Sequence, residues 1–121
     1  MLVLFAVAAF STKVSAQNFT LDNQIPTLGI NAIVTYCTMS TLAPSGGNSS
    51  TVPNTCGASL PCTVNFDLNG CLFTVTLSPC PTYGTDYVYS RSITTGCTIH
   101  PTMKFQFYYD GFTDDIIITI K

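Results

Sequence analysis

Hydrolytic chemistry needs a nucleophile, a base and a group that orients the base. This chain offers one histidine, His100, in the segment Thr98-Ile-His-Pro-Thr102. Serines are plentiful, yet none sits in the Gly-x-Ser-x-Gly turn that raises a serine above a sheet. His100 therefore reads as a surface or capping residue, and no catalytic residue is assigned. A second cluster is acidic: Asp110-Gly-Phe-Thr-Asp114-Asp115 places three carboxylates within a short loop. Calcium prefers such oxygen-rich loops, but the alternating ligand positions of an EF-hand are missing. The three acids read as solvated charge at a hairpin tip. They do not suggest a glycosidase either, since no cleft is indicated and no Trp is present to stack a sugar. No metal or cofactor is called for, and the chain reads as a non-enzyme.

The remaining reactive side chains are six cysteines, Cys37, Cys56, Cys62, Cys71, Cys80 and Cys97. Their spacings are irregular and match no zinc pattern. Residues 1–16 resemble a secretory leader: Leu2–Phe10 is apolar, but far shorter than the roughly 20 residues that cross a bilayer. Val14-Ser15-Ala16 supplies the small residues of a cleavage site. No basic residue precedes the apolar run, a departure from the usual leader. Cleavage leaves residues 17–121 as one domain, expected to be extracellular and without a membrane span. In that oxidising setting an even cysteine count predicts three disulfides, whose connectivity is open. Asn18-Phe-Thr20 and Asn48-Ser-Ser50 are glycosylation sequons. Asn54-Thr-Cys56 would require a free Cys56 and is discounted.

Few elements are needed to position these residues. Charged residues make up 8% of the chain, and β-branched and aromatic residues dominate, which favours strands. So low a charge leaves no basic patch for phosphate contacts, and a nucleic-acid partner is not expected. The clearest unit is Cys62–Ser78, where Asn69-Gly70 separates two alternating runs. That dipeptide accommodates the two positive φ angles of a type I′ turn. It pairs Leu68 with Cys71, Phe66 with Phe73, Val64 with Val75 and Cys62 with Leu77, all on one apolar face. Thr63 then faces Thr76, Asn65 faces Thr74, and Asp67 faces Leu72. A one-residue slip would expose half the apolar set. In this register Cys62 and Cys71 lie far apart along the ladder and cannot bond to each other.

Ile30–Met39 reads as a strand that is apolar on both faces, hence an inner strand. Thr41–Thr55, with two prolines, two glycines and no periodicity, reads as a loop. Ser78–Gly84 must leave the sheet at its prolines. Asp86–Ile93 and Met103–Tyr109 alternate as strands, a loop runs through Asp115, and Ile116–Lys121 is strongly β-prone. About seven strands at short spacing predict an all-β, disulfide-bonded antiparallel β-sandwich, immunoglobulin-like in general architecture.

Two surfaces could carry contacts. Tyrosines supply rigid area with a polar tip, and Tyr87 and Tyr89 are candidates, although half-buried tyrosines are ordinary in β domains. The C-terminal strand has two readings. It is an interior strand, or it is an edge that presents Ile116, Ile118 and Ile120 to another chain, since uncharged Ile-rich segments are pairing templates.

Asn69-Gly-Cys71-Leu-Phe-Thr-Val-Thr-Leu-Ser-Pro-Cys80, with Cys97 beyond it, resembles the six-cysteine secreted domains expanded in nematodes. The likeness spans Cys37 to about Tyr109, and the segment after Cys97 lacks the expected Trp. The resemblance implies an extracellular domain without an assigned activity. Together these readings predict a secreted, non-catalytic recognition module for an extracellular protein or glycan. The alternative is a structural subunit that assembles through edge strands into a homo-oligomer or fibre.

Overall fold

The computed structural model describes residues 17–26, 30–44 and 46–121. The leader expected over residues 1–16 lies outside them. The described residues form nine strands and no helix: β1 (Asn18–Asn23), β2 (Asn31–Tyr36), β3 (Met39–Pro44), β4 (Asn48–Pro53), β5 (Thr63–Leu68), β6 (Cys71–Thr76), β7 (Tyr87–Thr94), β8 (Thr102–Tyr109) and β9 (Ile116–Ile120). They make a two-sheet sandwich, with one sheet ordered β4-β1-β9-β8-β7 and the other β3-β2-β5-β6. The core alternates as a sandwich requires. Phe19, Leu21, Phe105, Phe107, Tyr109, Ile116, Ile118 and Ile120 face Ala32, Val34, Tyr36, Val64, Phe66 and Leu68.

The β5–β6 hairpin has the register read from Asn69-Gly70, with Leu68 opposite Cys71 and Thr63 opposite Thr76. Asn69 and Gly70 both adopt positive φ. Disulfides join Cys37 to Cys56, Cys62 to Cys80 and Cys71 to Cys97. The last ties the start of β6 to the segment that follows β7, linking the two sheets along one flank.

Two expectations are corrected. Ile30–Met39 is not one strand: Cys37, at φ 54, starts a tight turn after Tyr36, and Met39 already belongs to β3. Thr41–Thr55 is not a loop, because β3 and β4 occupy most of it, with Pro44 and Pro53 at strand ends where no ladder donor is lost. The Gly46–Gly47 turn between them carries the chain from one sheet to the other. The expected antiparallel sandwich is present, with one parallel pair, β1 with β9. Of the two readings of the C-terminal strand, the interior one holds. β9 lies between β1 and β8, and Ile116, Ile118 and Ile120 are fully buried, so they cannot be the interface the edge reading gave them.

The two flanks of the sandwich differ. On one, β3 and β4 lie side by side, and Thr41 Oγ1 and Ser50 Oγ share a hydrogen bond of 2.6 Å. On the other, β6 and β7 are the terminal strands of their sheets. No helix among the described residues is long and apolar enough to cross a membrane.

Candidate functional site

The 110–115 loop joins β8 to β9, the two strands that carry much of the core. Its base is fixed by the Asp110 N–H donating to the Asp115 carbonyl (2.9 Å) and the Asp114 N–H donating to the Asp110 carbonyl (2.8 Å). The Asp110 carboxylate accepts from the Phe112 and Thr113 amides at 2.8 and 3.1 Å. This is the local capping that Asp performs in turns. Those two amides hold the Asp110 carboxyl below its ordinary value.

The other acids of the cluster are engaged as well. Asp114 accepts from the Tyr109 hydroxyl (2.5 Å) and from the Gln17 amide (3.0 Å). Asp115 accepts from the Asn18 backbone N–H at 2.7 Å. The Asn54 side chain donates to the Asp114 carbonyl. Burial first, then the bond to Asp114, raises the Tyr109 phenol well above its ordinary value, so it remains the donor.

A neighbouring turn buttresses the loop. Gly111 N donates to Asp86 Oδ1 at 2.9 Å. A Cβ on Gly111 would collide with the Thr85 backbone and sit 2.7 Å from the Gly84 carbonyl carbon. Only glycine allows that approach. Tyr83, from the same turn, stacks edge-on against Tyr109 and donates its hydroxyl to the Gly57 carbonyl.

This braced loop presents Phe112, which is 95% exposed. On the outer face of the larger sheet, next to the pair Tyr109 and Ile116 from which the loop leaves, Val88, Tyr108 and Ile117 form one cross-strand row, Val88 opposite Tyr108 and Tyr108 opposite Ile117. Val88 and Ile117 are exposed. The three acidic residues thus do not gather into a ligand site. They shape a loop whose product is a fixed apolar side chain. The sequence drew attention to the charges and passed over Phe112. A loop rich in capping Asp around one large apolar residue is the signal that was there to be read.

The remaining candidates fall elsewhere. Tyr87 and Tyr89 stand half-buried on β7, edge-on to Phe107 and Phe105 at 6.0 and 5.8 Å. Asn18 and Asn48 are exposed and start β1 and β4, at the flank away from β7. His100 Nδ1 lies 3.1 Å from the Thr102 carbonyl, and its own carbonyl accepts from the Thr95 hydroxyl. It lines a cavity of about 250 Å³ with Leu68, Gly70, Ile99 and the Cys71–Cys97 bridge. Among the described residues no group of His, Cys and Asp is arranged to hold a metal ion. No protein-family model, curated protein or solved structure matches the chain.

Proposed function

We propose that the domain is a secreted, non-catalytic recognition module that engages an extracellular protein through Phe112 and the adjoining row Val88, Tyr108 and Ile117. Three disulfides suit an extracellular domain. The observation that carries the reading is a fully exposed aromatic side chain on a loop held by at least six hydrogen bonds and a glycine contact. A flexible loop loses entropy when a partner orders it, whereas a braced one has already lost it. Aromatic anchors that enter a partner's pocket dominate interface energetics.

The test compares natively secreted wild-type and Phe112→Ala protein, immobilised side by side and exposed to extracellular fluid of the producing organism. Phe112 is 95% exposed, so the variant is expected to keep its unfolding midpoint and to lose the retained protein. A protein retained equally by both forms, or none retained by either, would overturn the reading.

A further inference from the structure

The open edge of the larger sheet leads to an inference beyond the recognition reading. β7 is an eight-residue terminal strand without proline and with one charge, Arg91. A long edge without proline can template pairing with a further strand, provided that its one inner-face charge, Arg91, finds a partner there. The opposite edge of the same sheet differs. β4 ends in Pro53, lies against β3, and is bordered by the sequons at Asn18 and Asn48.

The hydrogen-bond phase of β7 follows from its neighbours. Lys104 and Lys121 exchange both backbone bonds (2.6 and 3.0 Å), so the even residues of β8 bond toward β9 and the odd ones toward β7. Thr95 N donates to the Pro101 carbonyl in the same ladder. Arg91 opposite Phe105 and Ile93 opposite Met103 are therefore bonded pairs. Val88, Ser90, Ser92 and Thr94 turn their N–H and C=O groups outward. Among the described residues no hydrogen bond engages those groups.

We propose that β7 pairs antiparallel with β7 of a second copy, with Ser90 on the two-fold axis, giving a homodimer in which the two larger sheets become one. Reading the strand against its own reverse selects this register. With Ser90 on the axis, Tyr87–Ile93 overlaps in both copies, Val88 faces Ser92, and the outward groups fall into bonded pairs. On the inner side Tyr87 faces Ile93 and Tyr89 faces Arg91. Arg91 already lies 5.4 Å from the centroid of its own Tyr89 ring, so each guanidinium would sit between two tyrosine faces. With Arg91 on the axis the overlap is as long, but two guanidinium groups meet directly, and like charges opposite one another oppose pairing. With Tyr89 or Ser92 on the axis the shared strand shortens to Tyr87–Arg91 or Ser90–Thr94.

Light scattering coupled to size exclusion, on the natively secreted, non-reduced protein over a range of concentration, reads the assembly directly. The wild type is expected to approach twice the mass of one chain as concentration rises. Ser90→Glu and Ser90→Lys each place like charges on the axis while altering only an exposed side chain, and each is expected to be monomeric. Mixing the two variants in equal amounts is expected to restore a dimer, most strongly at low salt. A wild type that stays monomeric at every concentration, a dimer that survives both variants, or a mixture that fails to recover it would overturn the proposal. Phe112→Ala lies off the axis and is expected to leave the dimer intact, so loss of partner capture and loss of dimer are separately visible.

Discussion

Tyr109 donates its hydroxyl to the Asp114 carboxylate at 2.5 Å, across the base of a loop in which Asp114 itself adopts φ 60. The left-handed region is uncommon for any residue with a side chain, though Asp is among those that tolerate it. Here the Asp114 N–H bond to the Asp110 carbonyl and the Tyr109 hydroxyl hold it in place. The ring of Tyr109 belongs to the core and its oxygen to the loop. One residue therefore couples the sandwich to the segment that displays Phe112.

Tyr109→Phe keeps the ring and removes that coupling. The expected cost is about 1.5–3 kcal/mol, the range for a hydrogen bond to a charged group, read as a lower urea midpoint at unchanged slope. Amide exchange at Phe112–Asp115 is expected to accelerate while exchange in β8 and β9 stays slow. Equal exchange in the loop of both forms would mean that the hydroxyl does not brace it.

The loop should also respond to acid. The Phe112 and Thr113 amides hold the Asp110 carboxyl below its ordinary 3.8. A depressed carboxyl stabilises the folded form above the unfolded value, and that contribution is lost as pH falls through the folded one. Loop order is thus expected to be constant above about pH 5 and to fall away below the ordinary carboxyl range. Asp110→Asn keeps an acceptor of the same shape without a titrating group. In it the chemical shifts of the Phe112 and Thr113 amides are expected to lose this acid step, with other loop resonances as the control. A step of equal size in the variant would assign it to another group.

The disulfides make a separate prediction. Replacing both Cys71 and Cys97 with Ala opens a closed loop with a sequence separation of 26 and unties the two sheets along the β6–β7 flank. The expected destabilisation is about 2–4 kcal/mol, measured in urea against the intact protein. Peptide mapping without reduction should return Cys37 with Cys56, Cys62 with Cys80 and Cys71 with Cys97. Any other pairing would contradict the arrangement of the strands.

What the chain revealed by itself was local. The β5–β6 register followed from Asn69-Gly70 and two alternating runs, because a two-residue turn leaves one pairing that buries the apolar face. The loop through Asp115 is legible for the same reason, since a two-residue turn at Asp110-Gly111 sets Asp114 against Phe107. β3 and β4 were hidden because Ser, Thr and Pro on strands near the closed flank have the composition of a loop. The turn at Cys37 was hidden because nothing near it carries turn chemistry, and a non-glycine residue takes the positive φ. The parallel β1–β9 pair joins strands nearly a chain length apart, which no local pattern encodes. Phe112 stood in plain sight. It follows Gly111, whose close approach to Thr85 is set by the fold rather than by the neighbouring residues.

The C-terminal strand offers the most direct check on that fold. In a sandwich strand one row of side chains faces the core and the other faces outward. As the central strand between β1 and β8, β9 buries Ile118 completely, next to Ile117 at 39% exposure on the outer face. Ile118→Ala removes buried methyl and methylene groups with neighbours on both sides, so a loss of about 2–5 kcal/mol is expected, cavity included. Ile117→Ala deletes the same atoms from a surface position and should move stability by only about 0.5 kcal/mol. The contrast between adjacent residues of one type cancels strand propensity and leaves burial as the difference. Two urea curves measure it. Equal effects would contradict the burial of Ile118 beneath the sheet, whereas the expected gap places the Ile116, Ile118 and Ile120 face of β9 in the core.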